Sequence, residues 1–236
     1  MSACTLIVLA AGRGERLGGP LPKQYLPLGP YPLLWHTLHR LHAHPLIAHI
    51  VPVIAPTGAA LWQQIMGPWL PDLPKVAAPV AGGSERQHSV YQGLQAITQA
   101  DDHWVAIHDG ARPLVDQPLL DRLLAARADH DAIIPALMAG DTVKQINAQQ
   151  QVITTLQRSS LCLVQTPQLF RLGLIRHAHQ QAAAASFLGT DDASLVERLQ
   201  LPVQVVAGSA SNIKITYPQD RQWAAWWLQQ EESKWK

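Results

Sequence analysis

Cysteine is nearly absent from this chain, with Cys4 and Cys162 the only two among 236 residues. They lie far apart and make no CxxC pair, so no disulfide framework is expected and a reducing compartment is the simpler setting. An excess of charge is lacking too. Lys and Arg total 18 against 17 Asp and Glu, a net charge of +1 with eleven neutral histidines. No global field draws in nucleic acid or a membrane surface, so neither is an expected partner and any basic function must be local. No stretch approaches eighteen uninterrupted apolar residues, which excludes a membrane-spanning helix. The apolar run near the N-terminus is short and no Lys or Arg precedes it, so a secretory leader is not expected. Internal repeats and low-complexity linkers are missing as well. The expected location is the cytoplasm. What is present is 47% hydrophobic residues, enough for a sizeable core, over a length that fits one large domain or one domain with an appendage.

The chain is organised around residues 6–25, LIVLAAGRGERLGGPLPKQY. Leu6, Ile7, Val8 and Leu9 have the length and β-branched content of a buried strand. The run then breaks into Ala10, Ala11, Gly12, Arg13, Gly14, Glu15 and Arg16, with Pro20 and Pro22 opposing helix and Lys23 following at once. Small residues let a backbone approach a ligand and aim its N–H groups at anions. With Arg16 and Lys23 alongside, the segment reads as a polyphosphate cradle. It is not a Walker A loop, because the G-x-x-x-x-G-K-[ST] spacing is absent. A dinucleotide fingerprint is incomplete, because Leu17 stands where a third glycine belongs. The acidic residue expected about twenty positions further on is also missing, since residues 40–49 are basic or neutral.

Further along, Pro32 begins a helix with Leu34, Leu38 and Leu41 at helical spacing. His36, His39, His42 and His44 on or beside it read as solvated helix surface. Residues 47–54 form a second strand and 76–80 a third. Gly82, Gly83 and Ser84 then lead into a helix, again directing N–H groups toward a ligand. Ser84 is a helix cap or a base contact, and Ser89 an ordinary helix position or a base contact. Residues 103–107 make a fourth strand ending in His108, Asp109, Gly110, Ala111, Arg112 and Pro113. Charged side chains at the carboxyl end of a parallel strand sit where open α/β sheets bind ligands. Asp109 fits a Mg²⁺ ion shared with phosphates, since that ion keeps its waters and takes few protein ligands. Arg112 contacts a phosphate or pins Asp109; a plain structural Asp–Arg pair is the alternative. After a helix over 117–128 and a strand over 132–137 the pattern changes. Two alternating segments around a polar turn give a hairpin at 141–156 that is polar on both sides and protrudes. Residues 203–206 and 212–216 read as late strands. Lys214 lies midway in the latter, where an exposed edge strand would also carry Lys. Trp223, Trp226 and Trp227 fall on a packing face of the final helix.

Taken together, LAAGRGERL with PKQY, then GGSERQHSV, HDGARP, DTVK, RSSLCLVQTPQLF, TDDASLVE and NIKIT closely resemble the 2-C-methyl-D-erythritol 4-phosphate cytidylyltransferase family along essentially the whole chain. The resemblance implies an α/β, Rossmann-like nucleotidyltransferase fold. Its sheet would be twisted and mostly parallel, with helices on both faces and a β-hairpin arm. It implies a single domain over 1–236, with 141–157 projecting to dimerise, and a homodimer. CTP would lie over Ala10, Ala11, Gly12 and Gly14, with Gly83, Ser84 and Ser89 at the cytosine. Arg16, Lys23 and Lys214 would be catalytic. Asp109 would hold Mg²⁺ or another divalent cation. A polyol phosphate would meet Asp109, Arg112 and Lys214, with Thr142, Arg158 and Thr166 supplied by the neighbouring subunit. Thr190 and Asp191 match a further motif with no assigned role. Two rivals stay open: a cytidylyltransferase for another polyol phosphate such as ribitol 5-phosphate, and a non-catalytic nucleotide-binding protein on the same fold.

Overall fold

The computed structural model describes residues 3–12, 14 and 21–233. Its central strand is β1 (Cys4–Ala10), buried along almost its whole length. A strand enclosed on both faces must be apolar at successive positions, which is why its sequence shows no alternation. A 3-10 turn at Lys23–Tyr25 and a small ribbon, β2 (Pro27–Leu28) with β3 (Tyr31–Pro32), follow. Next come α1 (Leu33–His42), β4 (Ile47–Ile54), α2 (Ala59–Met66), β5 (Val80–Ala81), α3 (Arg86–Gln95), β6 (Trp104–Asp109), α4 (Gln117–Ala126) and β7 (Ala132–Met138). The hairpin β8 (Lys144–Ile146) and β9 (Val152–Thr155) is followed by β10 (Cys162–Val164), β11 (Gln168–Arg171), α5 (Leu172–Ala184), α6 (Ala193–Arg198), β12 (Gln204–Ala207) and α7 (Pro218–Ser233).

β1 pairs in parallel with β4 on one side and β6 on the other. β5 extends the sheet beyond β4, and β12 runs parallel to β7. β11 is inserted antiparallel between β6 and β7, and β10 continues antiparallel along β7. Alternate residues of β1 feed two cores. Leu6, Val8 and Ala10 pack with Leu34, Leu38 and Leu41 of α1, Trp62 of α2 and the leucines of α4. Ile7 packs with Val90 and Leu94 of α3 and with Leu172 and Ile175 of α5. Helices therefore cover both faces. The chain leaves β1 toward β4 and later returns on its other side at β6, so a crevice opens at the carboxyl ends of these strands.

Several expectations are corrected. The third strand shrinks to Val80–Ala81, with Val76 contributing only an isolated bridge to Ile50. The two antiparallel strands β10 and β11, paired with β7 and with β6 and β7, were not anticipated, because each is too short to show a period. Residues 212–216 form no strand. Their partners are scattered: Ile215 N–H donates to the Ala111 carbonyl, Arg112 reaches the Asn212 carbonyl, and Lys23 reaches the Ile215 carbonyl. Side-chain donors replace a ladder there. His36 and His44 are buried rather than solvated, bound to the Leu28 carbonyl and to Asp121. Trp223 and Trp227 stack and pack beside Leu28, Leu33 and Ile215, while Trp226 is half exposed.

Candidate active site

A cleft of about 1160 Å³ occupies the crevice. That is roughly the upper end of what small-molecule sites use. Ala10, Ala11, Gly12, Gly14 and Lys23 from the first loop line it, with Gly83, Ser84, Glu85, Arg86 and Ser89 around the start of α3 and with Asp109 and Lys214. Residues distant in sequence are thus brought around one cleft. Arg16 lies outside the described residues. Arg112 and Thr166 stand behind Asp109, and Thr142 and Arg158 are exposed at the base of the hairpin, where Arg158 donates to the Gly140 carbonyl. Thr166 was expected to serve a neighbouring subunit. Instead it is buried in its own chain, where its hydroxyl accepts the Asp109 N–H at 3.0 Å and pairs with His108 Nδ1 at 3.1 Å.

The first loop is shaped by contacts rather than by propensity. Gly14 adopts φ +71°, and a Cβ there would sit 2.7 Å from Lys23 Cγ, so only glycine lets the Lys23 stem pass. The Gln24 amide ties the loop down by donating to the Ala10 carbonyl at 2.6 Å. A Cβ on Gly82 would lie 2.9 Å from Ala11 Cβ, so the two glycine loops touch at that point. The Ser89 hydroxyl accepts the Gly83 N–H at 3.1 Å and donates to the Glu85 carbonyl at 3.1 Å. Ser84 is not the helix cap; Glu85 precedes the first turn, and Ser84 Oγ instead pairs with His88 Nδ1 at 3.0 Å.

Asp109 is the electrostatic centre. Lys214 Nζ lies 2.7 Å from Oδ2, Arg86 Nε 3.4 Å from Oδ1, and Arg112 Nε 3.9 Å from Oδ2. Burial alone would push this carboxyl up. Arg86, Lys214 and Arg112 overcome that and hold it well below the usual carboxylate range. Asp109 is therefore ionised at every physiological pH. Burial drives its neighbour His108 down to about 4, so that ring is neutral. The adjacent Arg112 is also lowered, chiefly by burial.

Arg86 was missed by the sequence reading. It is the first residue of α3, an unfavourable place for a cation beside the positive end of a helix. That mismatch was the signal that acidic partners wait there. Arg86 Nη1 lies 2.8 Å from Asp192 Oδ2, and His179 Nε2 lies 3.4 Å from Asp192 Oδ1. Burial would raise Asp192, but Arg86 first and then His179 bring it down. Gln168 fixes this corner by accepting the Asp192 and Ala193 N–H groups and donating to Asp191.

No group of three or more His, Cys, Asp or Glu side chains gathers among the described residues. A cation held by protein ligands alone does not fit this cleft. A cation carried on phosphates needs one carboxylate from the protein. Asp109 fits that role, since among the described residues its Oδ1 is engaged only by the 3.4 Å contact from Arg86.

Residues 4–230 match the family described as IspD, 2-C-methyl-D-erythritol 4-phosphate cytidylyltransferase. The chain is 47% identical over 214 residues to the protein of that name from Geobacillus kaustophilus (strain HTA426), covering 91% of this chain and 92% of that one. It is 42% identical to the protein of the same name from Syntrophus aciditrophicus (strain SB), covering 97% of both. Its fold superposes with a TM-score of 0.81 on the crystal structure of the Francisella tularensis 2-C-methyl-D-erythritol 4-phosphate cytidylyltransferase, at 33% identity, covering 95% of this chain and 99% of that one.

Proposed function

The chain belongs to the 2-C-methyl-D-erythritol 4-phosphate cytidylyltransferase family, and from that premise we propose that it transfers a cytidylyl group from CTP to 2-C-methyl-D-erythritol 4-phosphate. The products are 4-diphosphocytidyl-2-C-methyl-D-erythritol and pyrophosphate, in the non-mevalonate route to isoprenoids. The observation that carries this reading is the convergence of two glycine loops, Lys23 and the Asp109–Lys214 pair on one cleft.

An oxygen of the acceptor phosphate attacks the α-phosphorus of CTP. The new P–O bond forms in line as the bond from the α-phosphorus to the bridging oxygen of the β-phosphate breaks, and pyrophosphate departs with that electron pair. The acceptor phosphate is already anionic at neutral pH, so no general base is needed. The obstacle is repulsion between anions, and positioned cations answer it. In this reading Ala10, Ala11, Gly12 and Gly14 cradle the triphosphate beside Lys23 and Arg16. Gly83, Ser84 and Ser89 face the cytosine. Lys214 and Arg112 receive the acceptor phosphate, with Thr142 and Arg158 arriving from a second subunit. A bound Mg²⁺ at Asp109 would neutralise phosphate charge. Asp109→Asn raises the magnesium concentration for half-maximal activity at least roughly tenfold, the loss seen even for outer partners of a metal; an unchanged magnesium titration removes Asp109 as the ligand.

The same reading makes the protein a cytoplasmic homodimer joined through the hairpin. No helix among the described residues is long and apolar enough to cross a membrane. Ile146, Val152 and Ile153 on the hairpin and Leu163 and Met138 on the adjoining strands are all more than half exposed, an unusual set for a monomer surface. Light scattering is expected to give a dimer mass across a dilution series, and Ile146→Glu with Ile153→Glu shifts it toward the monomer. A wild-type monomer at all concentrations removes the shared site.

The function itself is tested by pyrophosphate release from CTP with a panel of polyol phosphates. Release with 2-C-methyl-D-erythritol 4-phosphate alone is the expected result. Release only with ribitol 5-phosphate changes the acceptor, and no release with any acceptor leaves a binding protein.

A further inference from the structure

His108 stands in the HDGARP segment next to Asp109 and takes no part in the mechanism above. It is completely enclosed near the end of β6. Two groups bracket its ring. Nε2 lies 3.3 Å from the Arg112 carbonyl oxygen, and Nδ1 lies 3.1 Å from Thr166 Oγ1. A carbonyl only accepts, so Nε2 carries the proton. Among the described residues the enclosed ring makes its two hydrogen bonds to a carbonyl and a hydroxyl and none to a carboxylate, so it is buried in its neutral form. Nδ1 is then an acceptor, and the Thr166 hydroxyl must donate to it. The same hydroxyl oxygen accepts the Asp109 N–H at 3.0 Å. One directed chain results, from Asp109 N–H to Thr166, from Thr166 O–H to His108, and from His108 Nε2–H to Arg112. The Arg112 N–H closes the turn on the Asp109 carbonyl at 3.0 Å. The ring thus spans the turn that carries the carboxylate at one end and the guanidinium at the other. An apolar side chain would fill this enclosed position without desolvating two ring nitrogens. What the imidazole adds is the pair of bonds.

We propose that His108 is a positioning residue of this site, whose Nε2–H tautomer holds the turn from Asp109 to Arg112 against Thr166 and so fixes the spacing of their side chains. The catalytic part of this inference rests on the cytidylyltransferase reading; the hydrogen-bond chain does not.

His108→Phe keeps a ring and removes both bonds. His108→Asn retains an acceptor near the place of Nδ1, and His108→Gln a donor near the place of Nε2. With CTP and 2-C-methyl-D-erythritol 4-phosphate, His108→Phe is expected to lower kcat about 10²-fold, the scale of an ångström of misplacement. KM for the acceptor rises by more than KM for CTP, since the two glycine loops are untouched and only the contact through Asp109 is shared with the nucleotide. Asn and Gln each recover roughly tenfold of the lost rate. Near-normal kcat in His108→Phe overturns the proposal, as does an equal loss in all three variants with both Michaelis constants raised together. Nitrogen-15 NMR of the histidine-labelled wild type gives a readout that needs no substrate. The His108 signals, assigned by their disappearance in His108→Asn, should show a protonated Nε2 and a bare Nδ1 that shifts in Thr166→Val. A protonated Nδ1 overturns the proposal. If the wild type releases no pyrophosphate with any acceptor, the functional reading fails, and the NMR result alone decides the hydrogen-bond chain.

Discussion

Lys23→Ala lowers the rate of pyrophosphate release at saturating CTP by roughly 10²–10³, the loss found when a donor to transition-state charge is removed. Lys23 lines the cleft from the turn after the glycine loop. Its stem passes over Gly14, and its Nζ donates to the Ile215 carbonyl at 2.8 Å. In the proposed reaction negative charge grows on the transferring phosphoryl group and on the departing pyrophosphate, so a cation here would bind the transition state more strongly than the bound substrates. Such an interaction lowers kcat when lost, whereas uniform binding energy would appear only in KM. The bond to Ile215 adds a second route by which the change could act. Ile215 follows Lys214 directly, so losing the tether could displace Lys214 from Asp109. Lys23→Gln separates these effects, because its amide still carries a donor for the Ile215 carbonyl but no charge. Equal losses in kcat for Ala and Gln, with KM for the acceptor little changed, assign the effect to charge. A folded Gln variant with near-normal turnover sinks the catalytic role of Lys23.

Arg86→Ala destabilises the protein by about 3–5 kcal/mol at neutral pH, the cost of stripping a partner from buried charge. Arg86 is the cation shared by Asp109 and Asp192, whose side chains are 11% and 1% exposed. Without it Asp192 keeps His179, and Asp109 keeps Lys214 and Arg112. The pH dependence follows from the direction of the shifts. Both carboxyls are held below the ordinary value of 3.8 in the folded protein. The unfolded chain therefore binds more protons in acid, and this stabilisation is fully present above about pH 4–5 and lost as pH falls through the folded values. The variant lacks part of that contribution. Its deficit against wild type should be largest at pH 7 and narrow below about pH 4. Urea unfolding of both proteins across that range is the measurement. A deficit that stays constant with pH would mean Arg86 acts by packing its stem rather than by charge.

The helices and the long strands were legible from the sequence because their signals are local. The buried strands at Cys4–Ala10 and Ile47–Ile54 read as apolar runs, and the helices showed their period. Where local pattern and long-range bonding disagree, the sequence misleads. Residues 212–216 alternate like a strand, yet their carbonyls are taken by Arg112 across 100 positions and by Lys23 across 192. Short antiparallel pieces such as Cys162–Val164 exist only because β7 offers them an edge.

The candidate site divides in the same way. Gly12, Gly14, Lys23, Gly83 and Asp109 could be singled out in one dimension, since phosphate loops and strand-end carboxylates need particular residue types at short spacing. By itself the sequence determined the α/β class, the two glycine loops and the family they belong to. Only the tertiary structure decided which charges meet. It placed Arg86 between Asp109 and Asp192, turned Thr166 inward beneath Asp109, and brought Lys214 to 2.7 Å from that carboxylate. The physical reason is that Coulomb energy and hydrogen bonding depend on distance in space and on exclusion of water. Neither quantity exists until the sheet has closed its crevice and buried the groups together.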